Sequence, residues 1–368
     1  MFAVIRSRHS RRLLLAARRA ATGAVLELLA QTVLADSSSD RLATIDRLIA
    51  KGTANSLATA AALRQFGSES DSGAYPLIAR ATHLAPDRRD LAWLAVRLCI
   101  SSSDCDDTVP EKHLHEVDPN NGIGATGALT RAQRRNDIAG IDAALTAIAD
   151  SERFYVYFAP LVAATATELA TARQQVAVVQ PQSAAARQQG AVAQPHSVAT
   201  RPQTAAARRQ GPAPAADGTA RATMEMMGII AASVLPPTQS FSYSCKGLAL
   251  EQVPGRLAIC RRAARGFARA DTFLVEGLGL SLQQQLWPLD SPEGRAITSQ
   301  RRVFQYRLEE YSRLSISSSK LDEFPPDALE VFRTHNREQD AALVYFAEAG
   351  APPDPPANWT SQSLPRVP

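Results

Sequence analysis

The chain has 368 residues, 45% of them hydrophobic, enough to build a core and to exclude a chain that is disordered throughout. Its net charge of +4 is unevenly spread: residues 1–19 hold six arginines and no acid, and residues 173–223 six arginines against Asp217, which leaves the remainder at −7. The segments able to fold are therefore acidic, which excludes a basic nucleic-acid groove as the meaning of the overall charge.

Aromatic residues are scarce, at 6%, while alanine is abundant, and runs of alternating β-branched and aromatic residues are nearly absent. Alanine carries no helix-propensity cost and lets backbones approach closely. The expected class is all-α: stacked helical hairpins followed by a C-terminal helical bundle, the two split by a disordered linker. The most apolar stretch, Met226 to Leu235, falls far short of the ~20 residues a membrane span needs.

Residues 1–40 form a basic N-terminal segment with two open readings. Arginines at 6–12 followed by an apolar stretch from Ala20 to Ala30 have the layout of a signal peptide, interrupted by Arg18, Arg19 and Glu27. The other reading is an amphipathic helix with Val25, Leu28, Leu29 and Thr32 on one face.

Residues 41–172 read as consecutive helices. Two are expected at about 41–50 and 55–66, and a third carries Leu77, Ile78, Ala81 and Leu84 on one face. Ala85-Pro86-Asp87 ends that helix and starts one with Leu91, Leu94, Ala95 and Leu98 aligned. After a polar loop at 100–109, Pro110 opens a short helix to Val117. The clearest hairpin follows, 122–134 and 138–149, with Ile138, Ile141, Leu145 and Ile148 lining one side of its second helix. Asn136-Asp137 supplies the turn, and Asp137 the N-cap.

Pro86 and Pro119 lie 33 residues apart, and Ser56-Leu57-Ala58 precedes Asp90-Leu91-Ala92 by 34. With two helices per unit, that period resembles tetratricopeptide-type repeats. The matching residues are Asp118-Pro119-Asn120-Asn121 at the repeat junction, Asn136-Asp137 at the intra-repeat turn, and Leu145 and Ile148 at packing positions. The chain departs from the pattern at Ala125, Leu129 and Ile141. The layout as a whole, with a Cys-containing C-terminal half, resembles uncharacterised bacterial proteins of this helical type, a likeness that implies no activity.

Residues 173–223 are a low-complexity segment derived from heptads: Arg173 to Pro181 recurs as Arg187 to Pro195, and Pro181 to Arg187 recurs as Pro202 to Arg208. Proline and glycine in nearly every unit argue against a continuous helix, so a disordered linker is expected. Helical spacing resumes over 224–350. One helix aligns Leu257, Cys260, Ala264 and Phe267; the next, capped by Asp271, aligns Leu274, Leu278, Leu282 and Leu286; a long one opens at Ser291-Pro292-Glu293. Gly277 and Gly279 inside the second imply a close neighbour. A Pro-rich tail, 351–368, follows Gly350.

The four cysteines lie as two local pairs, Cys99/Cys105 and Cys245/Cys260. Three pairings are formally open. Local pairing is the economical one, and closing a loop of ~15 residues would contribute about 3 kcal/mol; four reduced thiols are the alternative. No catalytic, cofactor-binding or metal-binding motif stands out. Gly277-Leu278-Gly279-Leu280-Ser281 lacks the frame of a nucleophile elbow, and His113 and His115 point about 200° apart on a helix. The expected function is non-catalytic protein–protein interaction over the concave face of the hairpin stack, with a protein or peptide partner, no cofactor and no specific nucleic acid. The alternatives are an envelope-associated enzyme whose site is not readable in one dimension, and a structural scaffold. The location is periplasmic or otherwise exported if the cysteines are oxidised, cytoplasmic if they are not.

Overall fold

The computed structural model describes residues 38–66, 73–102, 105–189, 216–316 and 328–361. The chain divides into two compact units at Ala43, and of the first the described part is the start of helix α1 (Ser38–Lys51). The basic N-terminal segment thus lies almost wholly outside the described residues. The second unit, Thr44–Pro368, is all-α: among the described residues there is no strand, and a single bridge pairs Asn121 with Arg153.

Its first half follows the expected elements closely. Helix α2 (Ala54–Gln65) starts at Thr53, whose Oγ1 accepts from the Ser56 N–H while Ser56 Oγ accepts from the Thr53 N–H, a capping box. Helices α3 (Ala74–Leu84), α4 (Arg89–Ile100) and α5 (Thr108–Val117) then pack in succession. A 3₁₀ turn (Gly122–Ala125) leads into α6 (Thr126–Arg134), which pairs with α7 (Ile138–Asp150). Asn136 takes the left-handed conformation (φ 53°), and Asp137 accepts from the Gly140 N–H at 2.9 Å. Ile138, expected on the buried side of α7, is instead exposed, because it occupies the first helical position beyond the reach of α6.

Helices α8 (Phe158–Gln189) and α9 (Ala216–Val234) form a long pair that crosses the inner faces of α2 and α4. The expected linker is correspondingly shorter at both ends. The backbone stays helical through Pro181, Arg173 on α8 pairs with Glu225 on α9 at 2.7 Å, and Ala222 and Thr223 are buried. The alanines of the heptad units favour the helix. Residues 190–215 lie outside the described residues.

The C-terminal helices are α10 (Thr238–Ser244), α11 (Leu248–Gln252), α12 (Arg256–Phe267), α13 (Phe273–Leu286), α14 (Pro292–Ile316), α15 (Ala328–Thr334) and α16 (Glu338–Glu348). The two helical regions, which the sequence left free to stand apart or to fold back together, belong to one compact unit. Helix α12 packs on α7, α15 packs on α8, and the buried Arg256 pairs with Asp142. Trp93, wholly buried on α4, donates to Val234 O at the end of α9 at 3.1 Å, and Arg97 donates to Ser233 O. Both satisfy carbonyls that a helix end leaves open. Burial pushes the Arg97 guanidinium down to about 10. Within the tail, the Tyr306 hydroxyl donates to Pro352 O at 2.9 Å and Trp359 stacks edge-on against Tyr306, so residues 351–361 are fastened to α14.

Candidate functional site

The expected concave face is filled. Every residue of α2 from Ser56 to Leu63 is buried, as is nearly all of α4, with α8 and α9 lying across them. The open concavity lies elsewhere, at the C-terminal helices.

There a cleft of about 580 Å³ has α13 as its floor, with the end of α12 and one face of α14 as its walls. Close packing of the floor depends on its glycines, as expected for Gly277 and Gly279. A Cβ at Gly279 would stand 2.2 Å from Ala268 N, in the backbone of α12, and one at Gly277 would stand 2.7 Å from the Phe304 ring of α14. The expected apolar face of α13 is corrected by this arrangement: Leu282 and Leu286 are buried, but Leu274 is 48% exposed, since Val275, Gly279 and Leu280 turn inward.

The α13 residues that line the cleft are Phe273, Glu276, Leu280, Gln283 and Trp287, all but Glu276 buried, and α14 contributes a face from Glu293 to Arg307 that includes Ile297, Gln300 and Phe304. Arg265 and Arg269 stand on the α12 wall. Both are exposed, and neither makes an ion pair among the described residues. The Arg265 guanidinium lies 5.1 Å from the centre of the Trp287 ring, a cation–π distance. Arg307, at the other end, is held by Asp354 at 3.1 Å and by Pro353 O.

Behind the floor lies a group of carboxyls. Glu276 accepts from Gln339 Nε2 at 2.7 Å, and burial raises its pKa against the pull of Gln339, Arg337 and Arg307. Glu338 accepts the Phe273 N–H at 2.9 Å, and its own N–H donates to Asp271 O at 2.8 Å, so the starts of α13 and α16 cap one another. The helix cap at Thr272, whose Oγ1 accepts from the Val275 N–H, replaces the expected Asp271 cap. Asp271 is buried and turned the other way, accepting the Val156 and Tyr157 N–H groups at 2.8 and 2.7 Å. Burial pushes both Asp271 and Glu338 up to about 7, and for Glu338 the neighbouring Asp271 and Glu276 add to the rise. On the far side of Phe273 and Phe304, Glu338 reaches a second, mostly apolar cavity of about 400 Å³ lined by Leu274, Leu278 and Leu308.

The segment that Asp271 holds, 151–157, is anchored at its other side by the junction motif. The buried Asp118 carboxylate accepts from Arg153 and from the Tyr157 hydroxyl. The Asn121 side chain donates to Tyr155 O at 2.9 Å and accepts from the Tyr155 N–H at 3.0 Å. Tyr157 takes φ 58°, an uncommon backbone conformation for a bulky residue, and three bonds, one each to 118, 121 and 271, hold it there.

The cysteines pair locally. Cys99–Cys105 (Cα–Cα 5.3 Å) closes the end of α4, and Cys245–Cys260 (5.7 Å) ties the end of α10 to α12, the helix that carries Arg265 and Arg269. None of the four lines the cleft. The sequence reading missed Asp271, Glu276 and Glu338, since their partners lie 63 to 115 residues away.

Comparison with known proteins returns nothing: no family model, no curated protein and no solved structure matches this chain. Among the described residues no helix is long and apolar enough to cross a membrane, and no group of three His, Cys, Asp or Glu is placed to hold a metal ion.

Proposed function

We propose that the chain is a non-catalytic, tetratricopeptide-like helical protein that mediates protein–protein interaction, with the α12–α13–α14 cleft as its binding surface. The observation that carries this reading is an open cleft four turns long, walled by a partly exposed face of α14 and floored by mostly buried residues of α13. The two cross-links fit an oxidising compartment and so the exported location.

A photo-crosslinking residue at Gln300 tests the reading, with Asp87 in an exposed turn as the control position. A discrete adduct formed in living cells from position 300, absent from position 87, is the expected result. Equal labelling from both positions, or none from 300, removes the cleft as the binding surface.

A second reading, an enzyme, draws on Glu276, a carboxyl facing the cleft with its pKa raised by burial, as general acids require. Turnover of any substrate that disappears in Glu276→Gln, with the fold intact, would favour it.

A further inference from the structure

We propose that the occupant of the cleft is one amphipathic helix of a partner protein, apolar along a heptad stripe and acidic along one flank. This rests on the interaction reading above and adds the chemistry that the partner brings.

Along α13 the cleft-facing residues are Phe273, Glu276, Leu280, Gln283 and Trp287, at steps of three, four, three and four. Along α14 the lining runs from Glu293 to Arg307 through the neighbouring pairs 296/297, 299/300 and 303/304, a broad helical face that recurs every three to four residues. Alternating three- and four-residue steps form the seam of a coiled coil, which receives the side chains of another helix. A seam and a face lining one groove leave room for a third helix, the helix-in-groove mode of recognition. Each runs over fifteen residues, roughly 21 Å at 1.5 Å per residue. That length suits a helix of four turns.

The polar positions within the floor already have partners inside the molecule. Glu276 already accepts from Gln339, and the Gln283 amide donates to Ala264 O at 3.3 Å, so an apolar stripe laid over them strips neither of these bonds.

Charge selects the flank. Arg265 and Arg269 lie four residues apart on one wall, exposed and without an ion pair among the described residues, and Arg265 is positioned by Trp287. The acid on the opposite wall, Glu293, is on α14. Carboxylates one turn apart on the occupant would meet both arginines, and charged partners at an interface rim govern selectivity.

The test uses the full-length, oxidised protein and two labelled synthetic helices. One has leucines at alternating three- and four-residue steps with glutamates one turn apart on the flank. The other is identical but carries lysines there. Fluorescence anisotropy should show the glutamate peptide binding at least tenfold tighter than the lysine peptide. Arg265→Glu combined with Arg269→Glu should reverse that preference, both positions being exposed and so tolerant of change. Gln300→Trp, which fills the groove, should abolish binding of both peptides, and Gln300→Glu should weaken the glutamate peptide alone. Equal binding of the two peptides, no binding of either, or binding indifferent to every substitution overturns the proposal. If the position-300 adduct forms in cells while the glutamate peptide fails to bind, the partner chemistry is wrong and the interaction reading stands. If the adduct is also missing, both fall.

Discussion

Helices α2 and α4 in the first half meet their surroundings differently from α13 and α14 in the second. From Ser56 to Leu63 α2 has no residue left in water, and α4 buries Asp90 to Val96 without a break. A helix that is apolar all round must be covered on every side, and α3, α5, α8 and α9 together do so. Helices α13 and α14 instead line an open cleft, where α14 keeps Glu293, Ser299 and Gln300 exposed above a mostly buried α13 floor. Consecutive helical hairpins thus do not by themselves leave a free inner surface. Here the inner faces of α2 and α4 are core, and the cleft of about 580 Å³ belongs to helices that follow them.

The comparison breaks most directly at Trp93. It is fully buried and bonded to Val234 O, so Trp93→Ala should cost about 3–5 kcal/mol. Denaturant melting of the variant checks this. By contrast, Gln300→Ala in the cleft should shift stability by no more than about 0.5 kcal/mol. A small loss at Trp93 would mean that α9 does not close over α4.

The carboxyls behind the cleft give a second test, through pH. Asp271 and Glu338 are held at about 7 in the folded protein, above their ordinary values near 4. Between those limits the native state binds protons that the unfolded chain has released, so stability falls as pH rises from about 4 to 7 and levels off above that. The expected loss is a few kcal/mol across that window, read from denaturation midpoints at a series of pH values. Asp271→Asn should flatten the slope, and a wild-type profile level from pH 4.5 to 7.5 would contradict the burial of these groups. The first half, whose raised carboxyl Glu111 is bonded to Arg131 at 2.5 Å, should contribute far less to the slope.

Much of the fold was legible in the residues. Helix ends followed from local chemistry: Asp137 at a cap, Pro292 at a first position, Gly350 in a left-handed terminus (φ 65°). The cysteine pairs matched the local pairing because six and fifteen residues of chain leave each partner close at hand. What escaped was long-range. That α8 and α9 would cross α2 and α4 is not encoded in any one helix, although the run of small residues along α2, from Ala58 to Ala62, suits close cover. Asp271 looked like a helix cap, and Thr272 beside it could do the same work. Nothing local marked Val156, 115 residues away, as the partner of Asp271. The cleft escaped for the same reason, since the residues on α13 and α14 that line it become one groove only when the helices are packed.

Removing the Cys245–Cys260 cross-link, as Cys→Ser at both positions, sharpens the contrast further. The closed loop has a sequence separation of 15 and fixes α12, so the expected cost is roughly 3 kcal/mol. Cys99–Cys105, with a separation of 6, should matter less. Thermal melts of the two double variants decide the order, and a reversed order would show that α12 is held by α7 and α13 without help from the cross-link.

The smallest effects distinguish two glycines two residues apart. Replacing either with alanine gains up to about 1 kcal/mol of helix propensity. At Gly279 the new methyl would meet the backbone of Phe267 and Ala268 at 2.2–2.5 Å, and two helix backbones cannot part without disturbing every contact between them. At Gly277 it would meet the Phe304 ring at 2.7 Å, a side chain only part-buried between two cavities and free to swing toward either. Gly279→Ala should therefore destabilise by about 1–3 kcal/mol, while Gly277→Ala should stay within about 0.5 kcal/mol of the parent. The second substitution has a further consequence that the first lacks, because a displaced Phe304 narrows the cleft. Gly277→Ala should weaken helix binding with little change in melting temperature, whereas equal destabilisation by both would mean that α14 is packed as rigidly against α13 as α12 is.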